Sequence, residues 1–185
     1  MYKEPYCRFT SQDYDPAQVR NKFAHLCNAC VNNLNPDSAG SVVTQGKHQI
    51  VHNMWEASQF QAWLQDAYSR EDTGLADPWT EKIWPQLKAA VIYSVLAVRD
   101  QCEHRHNSHE LFGYDFMVDE DLNVWLIEVN SSPSMDYSAP TTEKLVKQVL
   151  KELPRLILEG DNGRVALDSD KCTDRFEMVY HEGEQ

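Results

Sequence analysis

Positive charge is what this sequence has least of: 17 Lys and Arg stand against 29 Asp and Glu, a formal net charge of −12 over 185 residues. Binding a nucleic-acid backbone needs Lys and Arg gathered on one surface, so this balance argues against a nucleic-acid partner. Long apolar runs are missing as well. No stretch approaches the ~18 residues that cross a bilayer, so no membrane span is expected. There is no signal peptide, and the five cysteines (Cys7, Cys27, Cys30, Cys102 and Cys172) are an odd number. Together these predict free thiols in a reducing compartment and a soluble, intracellular chain. Cys27 and Cys30 have the C-x-x-C spacing of redox or zinc sites, but no second ligand pair lies at finger-like distance. Repeats and low-complexity tracts are also lacking. The length suffices for one medium domain or for part of a larger one.

What is present is concentrated in one stretch. Residues 111–118 and 124–133 are β-rich runs flanking the polar residues 119–123, the pattern of an antiparallel hairpin. With a four-residue loop, 119–122, Val118 faces Asn123 and Asp115 faces Leu126. Two-residue periodicity then puts Asp115, Glu128 and Asn130 on one face. The other face carries Phe112, Tyr114, Phe116 and Val118 with Trp125, Ile127 and Val129 and is expected to be core, so Trp125→Ala should cost roughly 3–5 kcal/mol. Two carboxylates on an otherwise apolar sheet either neutralise or acquire a partner. Mg²⁺ fits, since it takes oxygen ligands and is held by one or two carboxylates together with substrate phosphates. The residues alone leave open a surface hairpin with solvated acids.

Elsewhere, residues 6–10 are β-prone and 11–16 turn the chain. Residues 33–48 read as a mobile polar loop. Asn53 with Glu56 three residues on approximates a capping box and predicts a helix from 54 to about 67, with Trp55, Phe60, Trp63, Leu64 and Ala67 as its apolar stripe. A second helix is predicted from Asp77-Pro78 to about 101, with Leu87, Val91, Val95 and Val98 at helical spacing and Pro85 marking a late start or a kink. Three histidines and a cysteine within 102–109 suit a solvated connector better than a transition-metal clamp. Pro140-Thr141-Thr142-Glu143 starts a third helix whose stripe is Leu145, Val149 and Leu153, widened by Val146 and Leu150; Pro154 should end or bend it. A weakly ordered tail is expected over 159–185, with 165–167 as a candidate short strand.

The run 110–133 (E-L-F-G-Y-D-F-M-V-D-E-D-L-N-V-W-L-I-E-V-N-S-S-P) closely resembles the metal-binding signature of the tubulin–tyrosine ligase-like family, whose catalytic fold is of the ATP-grasp type. The resemblance implies Mg²⁺ ligands at Asp115, Glu128 and Asn130. Residues 1–9 resemble a strand in the middle of that catalytic domain, and the family's lysine-bearing nucleotide-binding strands precede it. The expectation is therefore an α+β fold in which 1–158 form the C-terminal part of an ATP-grasp domain, an antiparallel sheet with its metal-binding hairpin packed against helices. The chain would be a fragment or a product lacking the first lobe. In the family an arginine of the first segment faces the nucleotide's terminal phosphate or the acceptor, which makes Arg8 a catalytic and nucleotide-binding candidate. By itself Arg8 also reads as a strand-end arginine paired with a surface acid. Residues 23–32 (F-A-H-L-C-N-A-C-V-N) resemble the second signature, His-Leu-x-Asn followed by Val/Ile-Asn/Gln. His25 and Asn28 are thereby candidates for the nucleotide, amino-acid or acceptor pocket, although a turn cap and a satisfied core histidine suit them as well. Cys27, where most members carry Thr, and the run His52-Asn53-Met54-Trp55 resemble the glycine-adding branch.

These resemblances imply an ATP- and Mg²⁺-dependent ligase that adds glycine to glutamate side chains of tubulin. It would act on microtubules in the cytoplasm and cytoskeleton, ciliary or flagellar axonemes included. A polyglutamylase of the same fold is the near rival. A non-catalytic microtubule-binding module is the rival from another class, and retention of all three metal ligands counts against it. A metal hydrolase would need further His or Asp ligands. An acidic tubulin tail requires an attracting basic patch that is local or lies in the missing lobe.

Overall fold

Two consecutive residues in the left-handed region, His52 (φ 54°) and Asn53 (φ 55°), turn the chain sharply. Such a turn needs positive φ at both central positions, which Asn tolerates better than most residues. It is closed by the Met54 N–H donating to the Val51 carbonyl at 3.1 Å. In the computed structural model, which describes residues 1–35, 43–45, 47–68, 73–103, 105, 108–158 and 175–181, this turn belongs to one of two units. That unit comprises Glu4–Trp63 and Asp136–Lys147; the other comprises Met1–Lys3, Leu64–Met135 and Gln148–Gln185.

The first unit contains β1 (Tyr6–Arg8), α1 (Lys22–His25), α2 (Ala29–Asn32), β2 (Val43–Gln45), β3 (His48–Ile50) and β4 (Met54–Glu56). Strand β1 pairs antiparallel with β4, with Tyr6 opposite Glu56, Cys7 opposite Trp55 and Arg8 opposite Met54. Strands β2 and β3 form a second ribbon within the stretch expected to be a polar loop, while 36–42 of that stretch lie outside the described residues. The helix expected from 54 is likewise displaced. Asn53 serves the turn, Met54–Glu56 are extended, and α3 (Ala57–Ala67) begins where the Gln59 side chain accepts from the Glu56 N–H at 3.0 Å. That bond is the return half of a capping box, one turn later than expected.

Trp55 is therefore a strand residue, and it centres the core of this unit at 1% exposure. Phe9, His48 and Trp63 surround its ring at centroid distances of 4.7, 6.0 and 6.2 Å. Its indole N–H donates to the Gln49 carbonyl at 2.7 Å, so the polar edge is satisfied inside the core. Cys7 lies opposite it, and burial pushes the Cys7 thiol up to about 12, leaving a neutral and inert sulfur.

In the second unit a π-helical turn (Trp79–Ile83) leads into α4 (Trp84–Val98), which ends in a 3₁₀ turn (Arg99–Gln101). The start at Asp77-Pro78 agrees with the sequence. The Asp77 carboxylate accepts from the Trp79 and Thr80 N–H groups at 3.1 and 3.3 Å, while Glu81 accepts from the Ala76 and Asp77 N–H groups at 2.9 and 2.8 Å. The π turn immediately precedes Pro85, whose ring forbids an ordinary helical bond, so the ladder changes register there. Strands β5 (Gly113–Val118) and β6 (Val124–Asn130) form the predicted hairpin.

Helix α5 (Pro140–Leu158) starts as predicted, with Thr142 Oγ1 accepting from the Ala139 N–H at 2.9 Å. It neither ends at Pro154 nor keeps the full stripe buried: Leu145 is core but Leu150 is exposed. The fold is thus mixed α and β, with three two-stranded antiparallel ribbons among the described residues.

Residues 175–181, placed by the sequence in a weakly ordered tail, pair with the N-terminus. Lys3 N–H donates to Arg175 and Glu177 N–H to Met1, both at 2.8 Å, and the Tyr2 and Phe176 rings meet edge-on at 5.0 Å. The remainder of that tail, 165–167 included, lies outside the described residues, as do Cys172, His104 and His106. Among the described residues no helix is long and apolar enough to cross a membrane. Replacing Trp55 by Ala should destabilise the protein by about 3–5 kcal/mol, read as a lower urea midpoint for the first unit.

Candidate functional site

Helix α4 holds the hairpin by its turn. Gln86 donates to the carbonyls of Lys82 and Leu122, both at 2.9 Å, and its own amide oxygen accepts from the Val124 N–H at 3.1 Å. Lys82 Nζ donates to the Asp121 carbonyl, and Tyr68 OH to that of Glu120 at 3.1 Å. Further along, Ser94 and Tyr114 share a hydroxyl–hydroxyl bond of 2.9 Å. Inside the turn Asp119 accepts from the Asn123 N–H at 2.8 Å, from Asn123 Nδ2 at 3.1 Å and from the Trp125 indole at 2.9 Å. These bonds, the indole's first, hold the Asp119 carboxyl below its ordinary range. They also fix Leu122, which is buried at 3% exposure in the left-handed region with φ 61°.

The register corrects the expected one twice. Val118 faces Val124, so the loop is the five residues 119–123 rather than four. Met117 then faces Trp125 and Phe116 faces Leu126, but a bulge follows, and Asp115 faces Glu128, Tyr114 faces Val129 and Gly113 faces Asn130. The extra residue is Ile127. Each correction shifts the pairing by one residue, so parity survives and Asp115, Glu128 and Asn130 do share a face. Trp125 lies on the turn side of the bulge, opposite Met117, and falls on the face of Asp115 instead of the one assigned to it. There Trp125 is 59% exposed, and the remaining face is no closed core either: Ile127 is 58% exposed, and Phe112 and Val129 are exposed too. Truncating Trp125 therefore removes little buried surface, against the expectation of a large loss.

Asp115 and Glu128 are themselves exposed, so they carry no large desolvation penalty that would force a partner on them. What recommends them as a metal site is convergence. Directly opposed residues have Cβ atoms ~5 Å apart, and Asn130 reaches Glu128 Oε1 with its Nδ2 at 3.4 Å. Two carboxylates and an amide able to turn its oxygen inward are hard donors of the kind Mg²⁺ takes, so the residues fit that ion. Among the described residues no group of three or more His, Cys, Asp or Glu could hold a metal by itself. A close approach fixes the end of the hairpin: a Cβ on Gly113 would lie 2.8 Å from Pro133 Cβ.

Arg8, His25 and Asn28 belong to the first unit. Arg8 donates from Nη2 to the Tyr6 hydroxyl at 3.0 Å, with its guanidinium carbon 5.4 Å from the Tyr6 ring centroid. Among the described residues no carboxylate lies within ion-pair distance of it, unlike the paired strand-end arginine that was the alternative reading. His25 Nε2 donates to the Gln18 carbonyl at 2.9 Å, and the Tyr14 ring meets its imidazole edge-on at 5.3 Å. This histidine is half-buried, with one ring nitrogen bonded to the backbone. Asn28 precedes α2 as its cap residue but makes no side-chain cap bond, and it is exposed. The buried Asn32 fixes this segment: its Nδ2 donates to the carbonyls of Leu26 and Asn28 at 2.8 and 3.1 Å, and its Oδ1 accepts from the Ser11 N–H at 2.9 Å.

A family model described as the tubulin-tyrosine ligase family matches residues 1–161. The chain belongs to that family. It is 40% identical over 158 residues to tubulin glycylase 3C of Tetrahymena thermophila, covering 85% of this chain and 14% of that protein. It is 33% identical over 182 residues to protein monoglycylase TTLL8 of Homo sapiens, covering 98% and 19%, and 32% identical over 183 residues to tubulin monoglycylase TTLL3 of Danio rerio, covering 97% and 21%. The chain thus spans only about a fifth or less of the length of each of these relatives. Supporting residues were missed in the sequence: Gln86 is one glutamine on a helix, and Tyr6 and Asn32 became visible only through their partners. Asp119 had a signal, since Asp at the start of a turn often accepts from backbone N–H groups within it.

Gly113→Ala should force Pro133 away and cut any activity of the hairpin site by roughly tenfold or more, with the shift visible in the Asn130 amide resonances. Asp119 has a lowered native pKa, so its contribution is complete above its ordinary value of 3.8 and is lost as the pH falls through the lowered one. The Trp125 indole N–H resonance should move in that acid range in the natural protein and stay unchanged in Asp119→Asn.

Proposed function

We propose that this chain is the metal-binding, C-terminal part of an ATP-grasp catalytic domain in a tubulin glycylase. The observation that carries the reading is the convergence of Asp115, Glu128 and Asn130 on one hairpin face, in a member of a family whose matched relatives are named glycylases. A carboxylate is a poor electrophile at neutral pH. Its oxygen attacks the γ-phosphorus of ATP, the bond to ADP breaks, and an acyl phosphate forms. The amine of glycine then attacks the acyl carbon, the C–N bond forms as the C–O bond to phosphate breaks, and the amine loses its proton. Neither step uses a nucleophilic Ser or Cys.

Mg²⁺, when bound, would neutralise phosphate charge during the transfer. Asp115 and Glu128 would supply anionic oxygens and Asn130 a neutral one. Arg8 presents a fork suited to phosphate or acyl phosphate. The half-buried His25 and the exposed Asn28 would shape the rim of the amino-acid or acceptor pocket. Tubulin and microtubules are the proposed partners, and cytoplasm, cytoskeleton and axoneme the proposed location.

The test is intact-mass analysis of tubulin tails after incubation with ATP, Mg²⁺ and either glycine or glutamate, using the longest natural form of the protein. Glycine adducts are expected. Glutamate adducts would make it a polyglutamylase instead, and tubulin bound without any adduct would make it a non-catalytic binding module. Glu128→Gln should lower the rate by roughly 100-fold or more while leaving thermal unfolding unchanged, because the side chain is exposed and contributes no core volume.

A further inference from the structure

An arginine that must receive an anionic oxygen faces two opposed requirements. Its long side chain must be held still, which a carboxylate does well, yet a carboxylate would cancel the charge that the substrate needs. The first unit resolves this with a neutral residue. Tyr6 and Arg8 stand two apart on β1 and so share a face of the β1–β4 ribbon. The Tyr6 hydroxyl takes one of the five guanidinium N–H donors at 3.0 Å, and its ring lies against the guanidinium, 5.4 Å from centroid to carbon. The carboxylate nearest in register is Glu56, directly opposite Tyr6. That carboxylate pairs with Lys144 Nζ at 2.6 Å and not with Arg8.

We propose that Tyr6 is the positioning residue of Arg8: it immobilises the guanidinium without neutralising it and so preorganises Arg8 for an anionic oxygen of the phosphate or acyl phosphate. The inference rests on the reading of Arg8 given under Proposed function. Tyr6 touches no reacting atom. Its effect falls on the turnover of bound substrates and not on the affinity for glycine.

Glycine incorporation into tubulin tails by the longest natural form decides it, with Tyr6→Phe made alone, in the Arg8→Lys background, and beside Arg8→Lys alone. Phenylalanine keeps the ring and removes the hydroxyl, and Tyr6 is already 38% exposed, so the fold should tolerate the change. The expected result is a kcat about tenfold lower for Tyr6→Phe with the KM for glycine unchanged. In the Arg8→Lys background, where no planar fork is left to orient, the same change should have little further effect. A Tyr6→Phe protein as active as the natural one would overturn the proposal, as would an equal loss in both backgrounds, which marks a structural role. A fully active Arg8→Lys protein, or a natural protein that forms no glycine adduct, would instead remove the reading of the site itself and the inference with it.

Discussion

The hairpin depends on a count of backbone residues. Side chains on a strand alternate faces, so a shift of one residue exchanges the two faces outright. The five-residue turn alone would put Asp115 opposite Ile127 and leave Glu128 on the other side of the ribbon. The bulge restores the parity and seats the second carboxylate opposite the first. Such an insertion is useful only if it cannot migrate along the strand. Asp119, with its three acceptor bonds, and Gln86, which holds both Leu122 and Val124, clamp one end of the ribbon. The contact of Gly113 with Pro133 closes the other. The bulge lies between two fixed ends.

Charge is handled differently in different parts of the chain. Lys88 with Glu177 and Lys144 with Glu56 are ion pairs, and they tie segments distant in sequence within their own units. Asp115 and Glu128 stand instead in solvent on one face, and Arg8 is held by a phenol. Exposed pairs of the first kind contribute little, typically under about 1 kcal/mol each. The two hairpin acids, exposed like charges on one face, add no cohesion of their own.

Much of this was legible in the sequence, and the failures have physical causes. The hairpin strands, the three-residue face and the start of the helix at Asp77-Pro78 follow from alternation and capping chemistry, which are local. The face assignment survived because the loop and the bulge each moved the pairing by one. Trp125 did not survive, since it lies between the two shifts. Asn53 misled because the same short amide side chain suits a helix cap and a left-handed turn, and only the pairing of β1 with β4 selects between them. The pairing of residues 1–3 with 175–177 had no local signal, being a contact between the two ends of the sequence. Arg8 could be singled out by family resemblance, but its bond to the Tyr6 phenol is a property of the folded ribbon.

The exposure of the carboxylates bears on how such a site would work. Two unit charges ~4 Å apart in water attract by only ~1 kcal/mol, and three protein oxygens fill half of the octahedral shell that Mg²⁺ prefers. The trio by itself should therefore hold the ion loosely. On the proposed reading the remaining ligands are water and nucleotide phosphates, so metal and nucleotide bind as one unit and each raises the affinity for the other by the same factor. The apolar side chains beside the acids, Met117 and Trp125 on the same face, offer little hydration to compete with. Any closure that excludes water there lowers the local dielectric and strengthens every charge interaction at once. On the proposed reading, weak binding of the metal to the hairpin alone and tighter binding with nucleotide would be two consequences of one geometry.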